Sequence, residues 1–108
     1  MKYLSRPEEL VLLTIWKMEE EPYGVNIRKY ITDMTGKYWS IGSIYVPLDR
    51  LENKGYLTSY LADPTSERGG KSKRYYELTK EGVKQLQEIK KIYQTFWKDL
   101  PDFSEKKF

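Results

Sequence analysis

The order of parts between Trp39 and Thr79 constrains this chain most: an apolar-faced helix, a short strand, a loop rich in glycine and basic residues, then a second short strand. The helix is read over 44–54 and stops at Gly55, a residue suited to ending helices. Residues 57–63 and 73–79 alternate as strands, with Leu57, Leu61, Tyr76 and Leu78 expected inward. Between them runs Arg68-Gly69-Gly70-Lys71-Ser72-Lys73-Arg74. The connection over 64–72 exceeds the roughly two to five residues of an ordinary hairpin loop, and excess length in a loop usually serves a purpose.

The flanking segments follow from caps and periodicity. Ser5-Arg6-Pro7-Glu8 can form a capping box, with the proline where no N–H partner is needed, and starts a helix over 6–20. Leu10, Val11, Leu12, Leu13, Ile15, Trp16 and Met18 cover most of its circumference, so it must be covered on two sides. Pro22-Tyr23-Gly24 breaks the chain before a helix over 25–35, where Ile27, Ile31 and Met34 share a face and Gly36 is the stop. Ser40 or Ser43 caps the third helix; its regular part is expected after Ser43, which leaves Pro47 at the edge of the first turn. Thr79 caps a last helix over 80–100, along which Leu86, Ile89, Tyr93, Phe96 and Leu100 recur at heptad spacing. Residues 101–108 read as a loose tail.

These parts in this order build a winged helix-turn-helix. The expected fold is α+β, mostly α: three helices and a two-stranded β-wing over 1–79, then a C-terminal dimerisation helix over 80–100. One small domain cannot easily cover both the seam and the far side of the first helix, so Leu12, Trp16, Leu86, Ile89, Tyr93, Phe96 and Trp97 are expected at a homodimer surface. Ten tyrosines and three tryptophans favour an aromatic-lined interface, which could also admit a small hydrophobic or aromatic effector. Trp39 reads as a plug between the second and third helices.

At 108 residues there is room for one domain. The chain has no cysteine and no histidine, which removes disulfides, thiolate nucleophiles, imidazole bases and ordinary zinc sites. Glu19-Glu20-Glu21 and the scattered lysines form no acid-base constellation, so no enzyme, metal or cofactor is expected. Leu10-Val11-Leu12-Leu13 falls far short of the ~20 residues that span a bilayer and precedes no cleavage site; a cytoplasmic protein without membrane contact is expected. A net charge of +3 is too mild to argue for nucleic acid by itself, but Arg68, Lys71, Lys73 and Arg74 gather with no acid among them.

On a wheel, Ile44, Leu48 and Leu51 fall within about 60° as the core face of the third helix. Opposite lie Gly42, Tyr45, Val46, Asp49, Arg50 and Asn53. Tyr45 can meet a phosphate or a thymine methyl, Arg50 a phosphate or guanine, Asn53 a base or the backbone, and the loop cations the flanking phosphates.

Pro22-Tyr23-Gly24, Trp39-Ser40-Ile41-Gly42-Ser43-Ile44-Tyr45, Leu48-Asp49-Arg50-Leu51-Glu52-Asn53-Lys54-Gly55 and the run from Gly69 to Gly82 together resemble the PadR-type winged-helix transcriptional regulators, in the shorter branch with a single C-terminal helix. The resemblance covers nearly the whole chain. It implies a homodimeric regulator, commonly a repressor, of a pseudo-palindromic DNA operator, released in some members by small hydrophobic or phenolic effectors. The DNA-facing set then comprises Tyr23, Ser40, Ser43, Tyr45, Arg50, Asn53, Arg68, Gly69, Gly70, Lys71, Lys73 and Arg74. Two positions depart from the family pattern: Val46 stands where proline is common, with the proline moved to Pro47, and Asp49 stands where lysine is common. A carboxylate facing phosphates is repulsive, so Asp49 either accepts from a cytosine amino group or weakens DNA binding. The alternative reading is a winged-helix protein-interaction module that has lost DNA binding.

Overall fold

The computed structural model describes residues 3–20, 22–62, 73–101 and 103–105. Among them the elements follow as α1 (Arg6–Lys17), α2 (Gly24–Thr35), α3 (Ile41–Asn53), β1 (Leu57–Leu61), β2 (Arg74–Leu78) and α4 (Lys80–Trp97). Each helix begins where a polar group meets its orphan N–H donors. The Glu8 N–H donates to Ser5 Oγ at 3.2 Å and the Ser5 N–H to Glu8 Oε1 at 2.9 Å, a complete capping box. For α2 the Tyr23 N–H donates to Asn26 Oδ1 at 2.7 Å, and Gly36 closes the helix at φ 70. Thr79 Oγ1 accepts from the Gly82 N–H at 3.0 Å and donates to the Gly55 carbonyl at 2.6 Å, so one hydroxyl caps α4 and holds it against the turn after α3.

The core forms where the apolar faces converge: Val11, Leu12 and Ile15 from α1, Ile27 and Ile31 from α2, Ile44, Leu48 and Leu51 from α3, Leu57 and Tyr76 from the sheet, Leu86 and Ile89 from α4. Full burial of each such side chain contributes about 1.5–3 kcal/mol, which anchors α3 through three points on its inner face. The strands pair antiparallel from Leu57 opposite Leu78 to Leu61 opposite Arg74. A bridge between Tyr23 and Tyr75, and the Tyr76 N–H donating to the Pro22 carbonyl at 3.0 Å, stitch the entry of α2 to the outer side of β2. This is the winged helix-turn-helix expected from the sequence.

A half-buried ion pair fixes the far end of α3. Lys54 Nζ lies 2.6 Å from Glu8 Oε2, and Glu8 is buried. Burial opposes ionisation of Glu8, but the hydrogen bonds from Lys54 and from the backbone and side chain of Ser5 outweigh it, so its carboxyl sits below the ordinary value.

Several expectations are corrected. The third helix starts at Ile41, because Ser40 Oγ accepts from the Ser43 N–H at 3.1 Å, and Pro47 lies inside it rather than at its edge. The proline ring is buried on the core side, and its missing N–H denies the Ser43 carbonyl its usual helical donor. α1 ends at Lys17, where Met18 turns extended, and α4 ends at Trp97. Both strands are shorter than read. Leu61 is 59% exposed because β1 outruns the core there, and Met34, in the last turn of α2, is 64% exposed for the same reason. Among the described residues after α4, Phe103–Glu105 form a 3-10 turn, with the Phe103 ring 5.9 Å from Trp97.

Candidate nucleic-acid interface

The inner residues of α3 are wholly buried, which forces the opposite face outward. Gly42, Tyr45, Val46, Asp49, Arg50 and Asn53 are all exposed. The side chains of Asp49, Arg50 and Asn53 have no hydrogen bond or ion pair among the described residues. They therefore present an acceptor, a guanidinium fork and an amide with their hydrogen-bonding capacity unspent. At the start of the helix Ser40 and Ser43 are engaged with one another: Ser43 Oγ donates to the Ser40 carbonyl at 2.7 Å, and Ser40 Oγ donates to Ser43 Oγ at 3.0 Å. Their hydroxyls cap the helix, and what they offer outward is the positive end of its dipole.

Tyr45 is only partly free. It is 37% exposed, and the hydroxyl end of its ring lies over Gly24, where any Cβ would collide with it. Gly24 was legible only as part of a chain break; its second use, as the seat for Tyr45, depends on a contact between two helices. Beneath lies Tyr76, 1% exposed. Burial, then the nearby Tyr45 hydroxyl and the Asp49 and Glu52 carboxylates, push the Tyr76 phenol up to about 12, with Arg74 partly offsetting them. It stays neutral under the helix.

The root of the hairpin is built differently. Lys73 Nζ sits 3.4 Å from the centre of the Tyr23 ring, Tyr23 meets Tyr75 edge-on at 5.7 Å, and Tyr75 stacks on Tyr60 at 5.7 Å. On the other side, Arg74 Nη1 donates to Ser59 Oγ at 2.9 Å, and Ser59 Oγ donates to Glu52 Oε2 at 2.7 Å, a chain that runs from β2 through β1 to α3. Sequence reading missed both. The signal for the ladder was the direct opposition of Tyr60 and Tyr75 once the register is known. Arg68, Gly69, Gly70 and Lys71 lie outside the described residues.

The arrangement of caps, outward helix face and hairpin matches one family. Residues 12–88 fit the model of the transcriptional regulator PadR-like family. The chain belongs to the PadR-like family. An uncharacterized protein X from Lysinibacillus sphaericus is 32% identical over 92 residues, spanning 77% of this chain and 82% of that protein. Among solved structures, a PadR-like transcriptional regulator from Bacillus cereus is 28% identical with a TM-score of 0.67, covering 82% of each chain. A PadR family transcriptional regulator from Eggerthella lenta is 29% identical with a TM-score of 0.65, covering 81% of this chain and 73% of that one. This PadR-like chain is accordingly a DNA-binding transcription regulator, not an enzyme. No helix among the described residues is long and apolar enough to cross a membrane.

A second surface of this PadR-like chain lies between α1 and α4. A groove of about 640 Å³ is lined by Leu10, Leu13, Trp16, Leu86, Tyr93 and Trp97. Trp16 is 60% exposed and Phe96 72%, whereas Leu86 and Ile89 form the floor and belong to the core. Leu12 is removed from this set: one turn before Trp16 on α1, it is wholly buried in the core and does not line the groove. The Tyr93 hydroxyl donates to Glu9 Oε1 at 2.8 Å across the groove, and that carboxylate holds the phenol above its ordinary value.

Proposed function

We propose that this chain is a homodimeric repressor that lays one α3 from each copy in successive major grooves of a pseudo-palindromic operator, roughly 34 Å apart. Residues 1–79 read DNA and 80–100 join the copies. The observation that carries the reading is the outward face of α3, where Arg50 and Asn53 are exposed and uncommitted beside Tyr45. Tyr23, Lys73 and Arg74 stand at the hairpin root, from which Arg68 to Lys71 reach for flanking phosphates.

The open α1 and α4 surface supports the dimer. Leu13, Trp16, Tyr93, Phe96 and Trp97 expose large apolar area on one side of the molecule, and a second copy would cover it. A small hydrophobic or aromatic effector would occupy the same aromatic surface and alter the spacing of the two α3 helices. The regulator works in the cytoplasm, beside its DNA.

Fluorescence anisotropy with duplexes from the DNA upstream of its own gene tests the reading. Wild type should bind with a steep salt dependence, and replacing Arg68, Lys71, Lys73 and Arg74 together by alanine should flatten it by up to about 0.9 per lost phosphate contact. Equal binding and equal slopes would favour the protein-interaction module. Sedimentation should show a dimer; a monomer at micromolar concentration would remove both the paired-groove geometry and the effector site.

A further inference from the structure

We propose that Asp49 sets the sequence preference of α3 by accepting a hydrogen bond from the exocyclic amino group of a cytosine in the major groove. The inference rests on α3 being the DNA-reading helix, as proposed above. At about 100° per residue the outward arc runs from Tyr45 to Arg50 with Gly42 and Asn53 at its middle, and Asp49 lies about 30° from that middle on the Tyr45 side. Its side chain is exposed and has no hydrogen bond or ion pair among the described residues, not even with its neighbour Arg50. Its carboxylate therefore stands on the helix face that would enter the groove without an ion pair of its own.

An ionised carboxylate can only accept, and phosphates have nothing to donate, so a favourable partner must be a base edge. In the major groove only cytosine N4 and adenine N6 carry amino donors. Adenine places its N7 acceptor beside its amino group, where it would repel a carboxylate; the cytosine edge has no acceptor of its own. Val46, 49% exposed and three residues before Asp49, adds an apolar group beside the carboxylate, suited to the C5 side of a pyrimidine and favourable to a thymine methyl. Every sequence that brings only acceptors to Asp49 is penalised, so the residue selects by rejection as much as by attraction.

The test is selection from randomised duplexes with wild type, Asp49→Asn and Asp49→Ala, followed by anisotropy titration of the enriched sequences. Wild type should enrich one cytosine in each half-site and bind that duplex about tenfold tighter than the same duplex with that C·G pair changed to T·A. Asp49→Ala should level this preference, and Asp49→Asn should shift it towards adenine, both with unchanged melting curves because the side chain is exposed. If Asp49→Ala keeps the wild-type preference and merely tightens binding to all duplexes alike, the carboxylate only repels phosphate and the proposal is wrong. Wild-type binding that depends on Arg50 but ignores cytosine overturns this inference alone; no binding to any duplex overturns the DNA-reading role of α3 as well.

Discussion

The outward face of α3 and the root of the hairpin are joined through Glu52 and Ser59 and draw on similar residue types, but they use them in opposite ways. On the outward face of α3 the side chains of Asp49, Arg50 and Asn53 have no hydrogen bond or ion pair among the described residues. At the root, Lys73 is seated on the Tyr23 ring and Arg74 is bonded to Ser59. A group already held by the protein has lost its side-chain freedom before any ligand arrives, and one of Arg74's five donors is spent. Such a group is suited to holding a strand at a fixed angle. A group with its full capacity and an open side is suited to reading. The contrast predicts that substitutions at the root are felt in stability, and those on α3 in binding and specificity.

Tyr76 lies beneath both regions, so its loss should break the contrast most completely. Tyr76→Ala should cost about 3–5 kcal/mol of unfolding free energy, measured by denaturant titration, with DNA binding falling in proportion to the folded fraction. A loss under about 1 kcal/mol would mean that the two regions do not share this support. Next in size is Arg50→Ala against Arg74→Ala. The first should weaken operator binding by about 1–3 kcal/mol and leave the melting temperature in place. The second should remove about 0.5–1.5 kcal/mol of stability by ending the chain to Glu52. If both variants lose the same affinity and neither loses stability, the division between free and held cations has no content.

Local periodicity made one of these regions more legible than the other. Ile44, Leu48 and Leu51 recur with the helical period, so the inner face of α3, and with it the outer one, could be written down from the sequence. The caps at Ser5 and Thr79 and the stop at Gly36 were equally local. What escaped depends on chain segments that meet only in the fold. Tyr45 over Gly24, Arg74 through Ser59 to Glu52, and Lys54 on Glu8, 46 residues away, leave no periodic trace. Leu61 and Met34 kept the pattern but ran past the core that would have buried them. Pro47 misled in the other direction. Its cost to the helix argued for a late start, whereas the Ser40 cap and burial of the ring outweigh that cost.

Lys54 extends the contrast, because it is a third held cation and its partner titrates. The lowered Glu8 pKa means that the ionised carboxylate favours the folded state: its contribution is complete above the ordinary value of 4.5 and is lost as pH falls below that towards the folded value. Glu8→Gln should cost about 1–2 kcal/mol at neutral pH, less than the 3–5 of a fully buried pair, because the Lys54 side chain is 37% exposed and can turn to water. Melting temperatures of wild type and variant should converge as pH falls below the ordinary value of 4.5 towards the lowered folded value. A gap that stays constant with pH would assign the loss to packing and not to charge.

The smallest effect gives the sharpest test, because Lys73 sits where the two classes meet. Seated 3.4 Å above the Tyr23 ring, its ammonium gains a cation-π attraction of about 0.5–1 kcal/mol at a partly exposed site. A double-mutant cycle with Lys73→Met and Tyr23→Leu isolates that coupling from the edge-on contact of Tyr23 with Tyr75, which Tyr23→Leu alone would also remove. Coupling of this size in thermal unfolding makes Lys73 a held cation that fixes the root of the hairpin, and Lys73→Met should then reduce DNA affinity less than Arg50→Ala. Coupling near zero would make it a free cation whose position over the ring is incidental. Its removal should then lower the salt slope by about 0.9, as for any phosphate contact.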